Sequence, residues 1–305
     1  EHLMTLAWQH ALQHYPKSQA FRPIQVHQLA LKKAEDLLEL EQQYPAGLLT
    51  AKTAADCALI TEYTSLNLTE AGAVSPHQLR DQILAHPLIQ FVQANITQIN
   101  PAHNELFNEQ AQSLGQFDHV IVCCACHTAA FFEQYPVLKP IRGQVSWVEN
   151  TAQPLALNQA YSYGGYCMQL DAQQLILGAS FYPNRDDNDV LLEDHVHNYE
   201  LIHSVFPDYA QSLPDVRTWQ GRASVRAQSL DYFPVLGKMS EQTEIYSFAG
   251  LGSKGFLFAP LCSEILAAQI LKEACPVPES LLQKLSPTRF HKKLKAKKPY
   301  FKAQS

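Results

Sequence analysis

Ile245-Tyr246-Ser247-Phe248-Ala249-Gly250-Leu251-Gly252-Ser253-Lys254-Gly255, followed by the apolar run from Phe256 to Gln269, is the most informative stretch of the chain. A strand pattern runs into three glycines and then into a helical pattern. Glycine lets the backbone come close to a ligand, and a helix N-terminus presents unpaired N–H groups to electron-rich oxygens. Gly250, Leu251, Gly252, Ser253, Lys254 and Gly255 are therefore the candidate cofactor-binding residues. A merely structural strand–helix turn has the same sequence, so the segment alone leaves both readings open.

Upstream lies Gly221-Arg222-Ala223-Ser224-Val225-Arg226, followed by Asp231-Tyr232-Phe233-Pro234-Val235-Leu236-Gly237. Two arginines four apart on a short strand can present planar donor forks, and a guanidinium grips a carboxylate with two parallel hydrogen bonds. A pair of surface salt bridges reads the same way. Further upstream, Lys139-Pro140-Ile141-Arg142-Gly143-Gln144-Val145 brackets a sharp turn into a strand, which a domain crossover would also require.

Around these segments the periodicities alternate. Residues 2–14 carry Leu3, Leu6, Ala7, Ala11 and Leu12 at helical spacing. Residues 24–29 alternate as a short strand, and 32–43 are predicted helical. Ser75-Pro76 marks a helix start, running to about Leu84. Strands are predicted at 88–99 and 117–124, the second holding the buried parallel-type run Val120-Ile121-Val122. Residues 144–148, 166–170 and 174–180 read as an antiparallel sheet. Helix follows at 191–205, strand at 244–249 and helix at 260–271. The mixture is α/β, with a second, antiparallel layer interrupting the first.

The 305 residues are 46% hydrophobic and 17% charged, enough for one large domain or two intertwined ones. No apolar run of about 18 residues suggests a membrane span, and Glu1-His2-Leu3-Met4 has no secretion-signal pattern. Seven cysteines without framework spacing suggest reduced thiols and a cytoplasmic protein. A net charge of −6 argues against indiscriminate nucleic-acid binding. Yet Arg289, Lys292, Lys293, Lys295, Lys297, Lys298 and Lys302 form a tail without an acid, which suits a local polyanion contact or, equally, a solvated terminus.

Taken in order, these segments resemble the C-terminal, FAD-dependent half of the MnmC-type tRNA modification enzymes, within the D-amino-acid/glycine oxidase superfamily. The matching residues are Pro140-Ile141-Arg142-Gly143-Gln144, Gly178-Ala179-Ser180-Phe181, Arg222 to Arg226 with Asp231 and Pro234, Gly250-Leu251-Gly252-Ser253 with Gly255 and Ala259-Pro260-Leu261, and Pro287 with Arg289-Phe290. The resemblance implies a Rossmann-like FAD-binding domain (1–20, 75–135 and 222–275), interleaved with an antiparallel-sheet substrate domain (21–74 and 136–221), and a basic tail (276–305). It implies oxidative removal of the carboxymethyl group of 5-carboxymethylaminomethyl-uridine at the tRNA wobble position, as glyoxylate. An S-adenosylmethionine-dependent methyltransferase domain, usually fused N-terminally, then acts on the aminomethyl product. By its place in the motif, Arg226 is the expected carboxylate clamp and catalytic residue. Arg222, Arg142 and Tyr166 are further candidates for the substrate pocket, with Tyr163 beside them, and Arg289, Lys292, Lys293 and Lys295 for tRNA.

The sequence departs from the family pattern in two places. Nothing upstream of Gly250 fits the opening strand, Gly-x-Gly-x-x-Gly and helix of the FAD domain, so truncation and weak FAD retention are expected. At Cys123-Cys124-Ala125-Cys126-His127, where the resemblance implies a small residue and a glycine, Cys126 takes the glycine position. That cluster lacks zinc-type loop spacing, and no metal is expected. His195, His197 and His203, with Asp186, Asp187 and Asp189, are expected on a solvated helix and its acidic approach. Two other functions remain open: an oxidase or dehydrogenase of a free amine acid such as glycine or sarcosine, and a non-catalytic tRNA-binding remnant.

Overall fold

The computed structural model describes residues 2–31, 37–43, 47–149 and 151–290. In chain order the elements are α1 (His2–His14), β1 (Phe21–Leu29), α2 (Leu37–Gln43), β2 (Leu49–Lys52), β3 (Ser65–Val74), α3 (Pro76–Leu84), β4 (Ile96–Asn100), β5 (Glu105–Asn108), β6 (Ser113–Gln116) and β7 (Val120–Val122). A 3₁₀ turn, Ala125–Phe131, precedes β8 (Leu138–Glu149), β9 (Gln159–Ser162), β10 (Tyr166–Gln169), β11 (Gln174–Gly178), β12 (Tyr182–Pro183), α4 (Leu192–His203), α5 (Pro207–Gln211) and β13 (Gln220–Ser229). β14 (Val235–Lys238), β15 (Ile245–Ala249), α6 (Gly255–Leu271) and α7 (Glu279–Leu285) follow. The fold mixes helices and sheets, as expected.

Packing divides the chain into two units, one of Glu1–His14, Pro87–Ile141 and Arg226–Ser305, the other of Tyr15–His86 and Arg142–Val225. The boundaries differ from those the resemblance implied. Residues 75–86, expected in the nucleotide-binding part, belong to the second unit. There Ser75 N–H donates to the Ala20 carbonyl at 2.9 Å, and Ser18 Oγ donates to Gln82 Oε1 at 2.6 Å. The stretch from 276, expected as a free tail, contains α7, whose Leu281 and Leu285 are buried in the first unit's core beside Val277.

In the first unit, β7 lies parallel to β15, and β14 pairs antiparallel on its other side. α6 places Phe258, Leu261, Cys262, Ile265 and Leu266 at helical spacing into a core shared with Leu3 and Ala7 of α1. By length and composition alone Gly252–Leu271 is long and apolar enough to cross a membrane. Here its apolar residues supply that core. α6 starts five residues before the predicted Pro260, which lies inside the helix. Proline there removes only one amide donor, and packing holds the turn that sequence rules would end. A second, antiparallel sheet of β4, β5 and β6 supplies Ile99 and Leu106 to a cluster with Val120, Val122 and Ile245. The strand expected over 88–99 is confined to Ile96–Asn100. Leu88, Phe91 and Val92 before it are exposed: the apolar residues there, interrupted by Gln90 and Gln93, do not alternate with the period of two that would fix a half-buried strand.

The second unit is a sheet in the order β12-β8-β11-β10-β9-β1-β3-β2, with β13 also paired to β8. From β8 across β11, β10, β9, β1 and β3 to β2 the pairs are antiparallel except β1 with β9, which is parallel. α4 and α5 cover it, burying Ile202, Phe206 and Tyr209 against Tyr161, Leu175 and Leu177.

Candidate active site

β7 and β15 are parallel neighbours, in register from Val120 opposite Ile245 to Val122 opposite Ser247. Their carboxyl ends therefore emerge together, one into Cys123-Cys124 and the other into Gly250. In open α/β sheets ligands bind at such ends. Gly250 has φ 72° and Gly252 φ 56°, both left-handed, where an L side chain is strained. A Cβ at Gly252 would also stand 2.0 Å from Gln228 Oε1. Gly255 differs: it has an ordinary helical φ of −55°, and a Cβ there would meet nothing closer than 3.8 Å. Leu251 bridges back to Gln228, and Ser253 and Lys254 are exposed at the turn before α6. The first amides of α6 have no intrahelical acceptor. A bare backbone that a Cβ would fill, at the N-terminal end of α6, fits the electron-rich edge of a flavin.

The other strand end is braced from behind. Tyr135 and the buried Ser247 of β15 share a short hydroxyl–hydroxyl hydrogen bond, and Phe132 stacks on the Tyr135 ring at 5.5 Å. Burial pushes the Tyr135 phenol up to about 12. Ala125, not Cys126, holds the left-handed position after β7, with φ 50°. The glycine-favouring site thus lies one residue earlier than the resemblance implied.

Arg226 is half-buried on β13, and no described residue forms a hydrogen bond or ion pair with its guanidinium. In a strand, residues two apart share a face. Two residues on is Gln228, the side chain that lies against Gly252, so Arg226 and the glycine turn are brought together. Sequence reasoning missed Gln228; its only mark is the i+2 spacing from Arg226.

The remaining candidates are placed elsewhere. Arg222 is exposed and belongs to the second unit, as do Tyr166 and Arg142. Tyr166 is half-buried, its ring where a Cβ on Gly178 would meet it at 2.9 Å. Tyr163 is a core residue, edge-on to Phe206 at 6.0 Å. Arg142 is corrected: its side chain is fully buried and its donors are occupied. Nε donates to Asp187 Oδ1 at 2.6 Å, Nη1 to Asp194 Oδ2 at 2.7 Å, and Nη2 to the Asp189 carbonyl. No fork is left for a substrate.

The same network corrects the picture of a solvated His/Asp helix. Asp194 and His195 are buried, and His195 Nδ1 lies 2.7 Å from Ser146 Oγ. Asp187 is ion-paired with Arg185 as well as Arg142. Burial lowers the His195 pKa, against the opposing charge of Asp194.

Arg289 is corrected likewise. It forms a fork on Asp231, Nε to Oδ2 and Nη2 to Oδ1 at 2.9 Å each, and donates to the Leu285, Ser286 and Phe233 carbonyls. Burial alone would raise the Asp231 pKa; the bonds and charge of Arg289 outweigh it and hold the carboxyl below its usual range. The shared motif Asp231 to Pro234 with Arg289 is therefore a structural clamp, not a polyanion contact. Lys292, Lys293 and Lys295 lie outside the described residues.

A family model described as FAD dependent oxidoreductase matches residues 4–269. The chain belongs to that family. It is 57% identical over 303 residues to the tRNA 5-methylaminomethyl-2-thiouridine biosynthesis bifunctional protein MnmC of Acinetobacter baylyi, covering 99% of this chain and 48% of that one. The protein of the same name from Psychrobacter cryohalolentis is 33% identical over 251 residues, 74% of this chain and 36% of its own length. The chain thus spans half or less of the length of these two relatives. Among solved structures, iminodiacetate oxidase from Chelativorans sp. BNC1 has a TM-score of 0.74 at 15% identity, covering 93% of this chain and 84% of that one. Glycine oxidase from Geobacillus kaustophilus also has 0.74, at 18% identity, covering 94% and 80%. These two likenesses establish the shared flavoenzyme fold.

Proposed function

We propose that this family member performs the FAD-dependent step of tRNA wobble-uridine modification: oxidative removal of the carboxymethyl group of 5-carboxymethylaminomethyl-(2-thio)uridine. The observation that carries this reading is Arg226, a half-buried guanidinium with no partner among the described residues, beside Gln228 and the Gly250–Gly255 turn. The likeness to the MnmC proteins supplies the substrate class.

The substrate is an N-substituted glycine, a CH2 between a secondary amine and a carboxylate. The Gly250–Gly255 turn would hold FAD, which when bound accepts a hydride from that CH2. Arg226 takes the carboxylate with a two-bond fork, fixing the CH2 for transfer. The C–N bond becomes an imine, the amine proton is released, and water then splits the imine into aminomethyl-uridine and glyoxylate. The Lys292–Lys295 segment provides cations for tRNA phosphates. The partner in this reading is an S-adenosylmethionine-dependent methyltransferase, which methylates the freed amine.

The test is Arg226→Ala in the chain supplied with excess FAD and tRNA bearing the carboxymethylaminomethyl group, measuring glyoxylate. A fall in kcat/KM of about 100-fold or more, with flavin absorbance retained, is expected. Unchanged turnover removes Arg226 from the reaction. Oxidation of free sarcosine without any turnover of tRNA overturns the substrate assignment.

A further inference from the structure

α1 and α6 carry a group of side chains that the proposed reaction does not use. His10 and His14 stand four apart, on one face of α1, the spacing at which two imidazoles can share one ion. Glu264 of α6 faces them. His10 Nδ1 lies 2.9 Å and His14 Nε2 3.9 Å from Glu264 Oε2, and the three ligand-type atoms all lie within 4.8 Å of one another. The two rings are nearly parallel, 14° apart with centroids at 6.2 Å.

We propose that His10, His14 and Glu264 bind a divalent transition-metal ion, with zinc as the natural occupant, and that the ion staples α1 to α6. Three arguments carry this. The first is chemical: two imidazoles and one carboxylate are a recognised zinc donor set, leaving a fourth position for water. The second is metric: a tetrahedral ion with bonds of about 2.0–2.2 Å holds its ligand atoms about 3.3–3.6 Å apart. The separations of 2.9 and 3.9 Å bracket that range and all three ligand atoms lie within 4.8 Å of one another, a spacing that side-chain adjustment can close.

The third argument separates an ion site from an ordinary imidazole–carboxylate pair. The buried Nδ1 of His10 makes no aligned hydrogen bond among the described residues, although Glu264 Oε2 is only 2.9 Å away. In a hydrogen-bonded pair the carboxylate sits on the axis of the ring nitrogen. Here the pair is close but not aligned as a hydrogen bond, so the Nδ1 lone pair is not committed to the carboxylate. The ion would brace α6, the helix that begins at the glycine turn, against the first helix of the same unit.

The experiment is a titration of the purified, tag-free chain with ZnCl2, and separately with CoCl2, following heat, the cobalt visible spectrum and the melting temperature. Expected are one equivalent of metal bound, a cobalt spectrum typical of low coordination, and a melting temperature that rises with metal concentration. His14 is half-exposed, so His14→Ala preserves the fold. It should weaken binding by at least the roughly 10-fold that loss of even an outer-shell partner causes, and abolish the rise in melting temperature. Glu264→Gln should do the same. The chain has 13 histidines, so stray binding elsewhere is expected to survive both variants. Equal one-equivalent affinity in wild type and in the His14→Ala/Glu264→Gln double variant overturns the site, as does the absence of any one-equivalent binding.

Discussion

Gly252 and Gly255 occupy one motif but not one physical situation. At Gly252 a methyl group meets both a left-handed φ and Gln228. Gly252→Ala should therefore destabilise the first unit by about 1–3 kcal/mol and weaken FAD binding, read by thermal melting and flavin titration. Gly255 is helical with open space, so Gly255→Ala should be neutral or stabilise by up to about 1 kcal/mol. Equal losses in both variants would show that the motif acts as a whole. The arginines divide in the same way. Arg142→Ala strands the buried Asp194 and should cost about 3–5 kcal/mol in a denaturant melt, whereas Arg226→Ala, which breaks no described hydrogen bond or ion pair, should leave stability within about 0.5 kcal/mol. The sequence shows each of these residues but not its partners: Arg142 and Arg226 look alike until Asp187 and Asp194 are folded beside one of them.

At the scale of the element, β1 shows how a strand interior sets a pH response. His27 is buried on β1, stacked on Tyr161 at 5.2 Å, with neither ring nitrogen hydrogen-bonded among the described residues. Burial first, and then the charge of Lys52, lower its pKa below 6.5. Above that pH the folded and unfolded states are both neutral, and the group costs nothing. Below it the unfolded chain takes the proton first, so stability falls with pH until the folded state protonates too. His195 on α4 acts in the same sense. His27→Phe should flatten the acid limb of a melting-temperature profile below about pH 6.5 without abolishing it; an unchanged limb would exclude His27. α6 was legible from its apolar spacing, though not its start, because Pro260 obeys the packing of Phe258 and Leu261 rather than the local rule. β2, β3, β5 and β6 were not read at all: their alternation is weak, and pairing with neighbouring strands is what makes them strands.

At the scale of the molecule, an acidic chain of net charge −6 carries its cations unevenly. If Lys292, Lys293 and Lys295 each neutralise one tRNA phosphate, replacing all three with Ala should reduce the slope of log affinity against log salt by about 2–3. Arg289→Ala should instead lower stability, by about 2 kcal/mol, because it breaks the clamp on Asp231. A slope unchanged in the triple variant would remove the tail from tRNA binding. The sequence by itself determined the family-level fold, the glycine turn and the cationic segment. These depend on residue type and near-neighbour spacing: glycine where the backbone must turn left-handed, apolar residues every three or four positions, and lysines without acids. Folding alone settles which arginines have partners among the described residues, where the unit boundaries fall, that Gln228 lies over Gly252, and that His10, His14 and Glu264 converge. Each of those facts depends on residues far apart in the chain, and nothing local encodes which of them will meet.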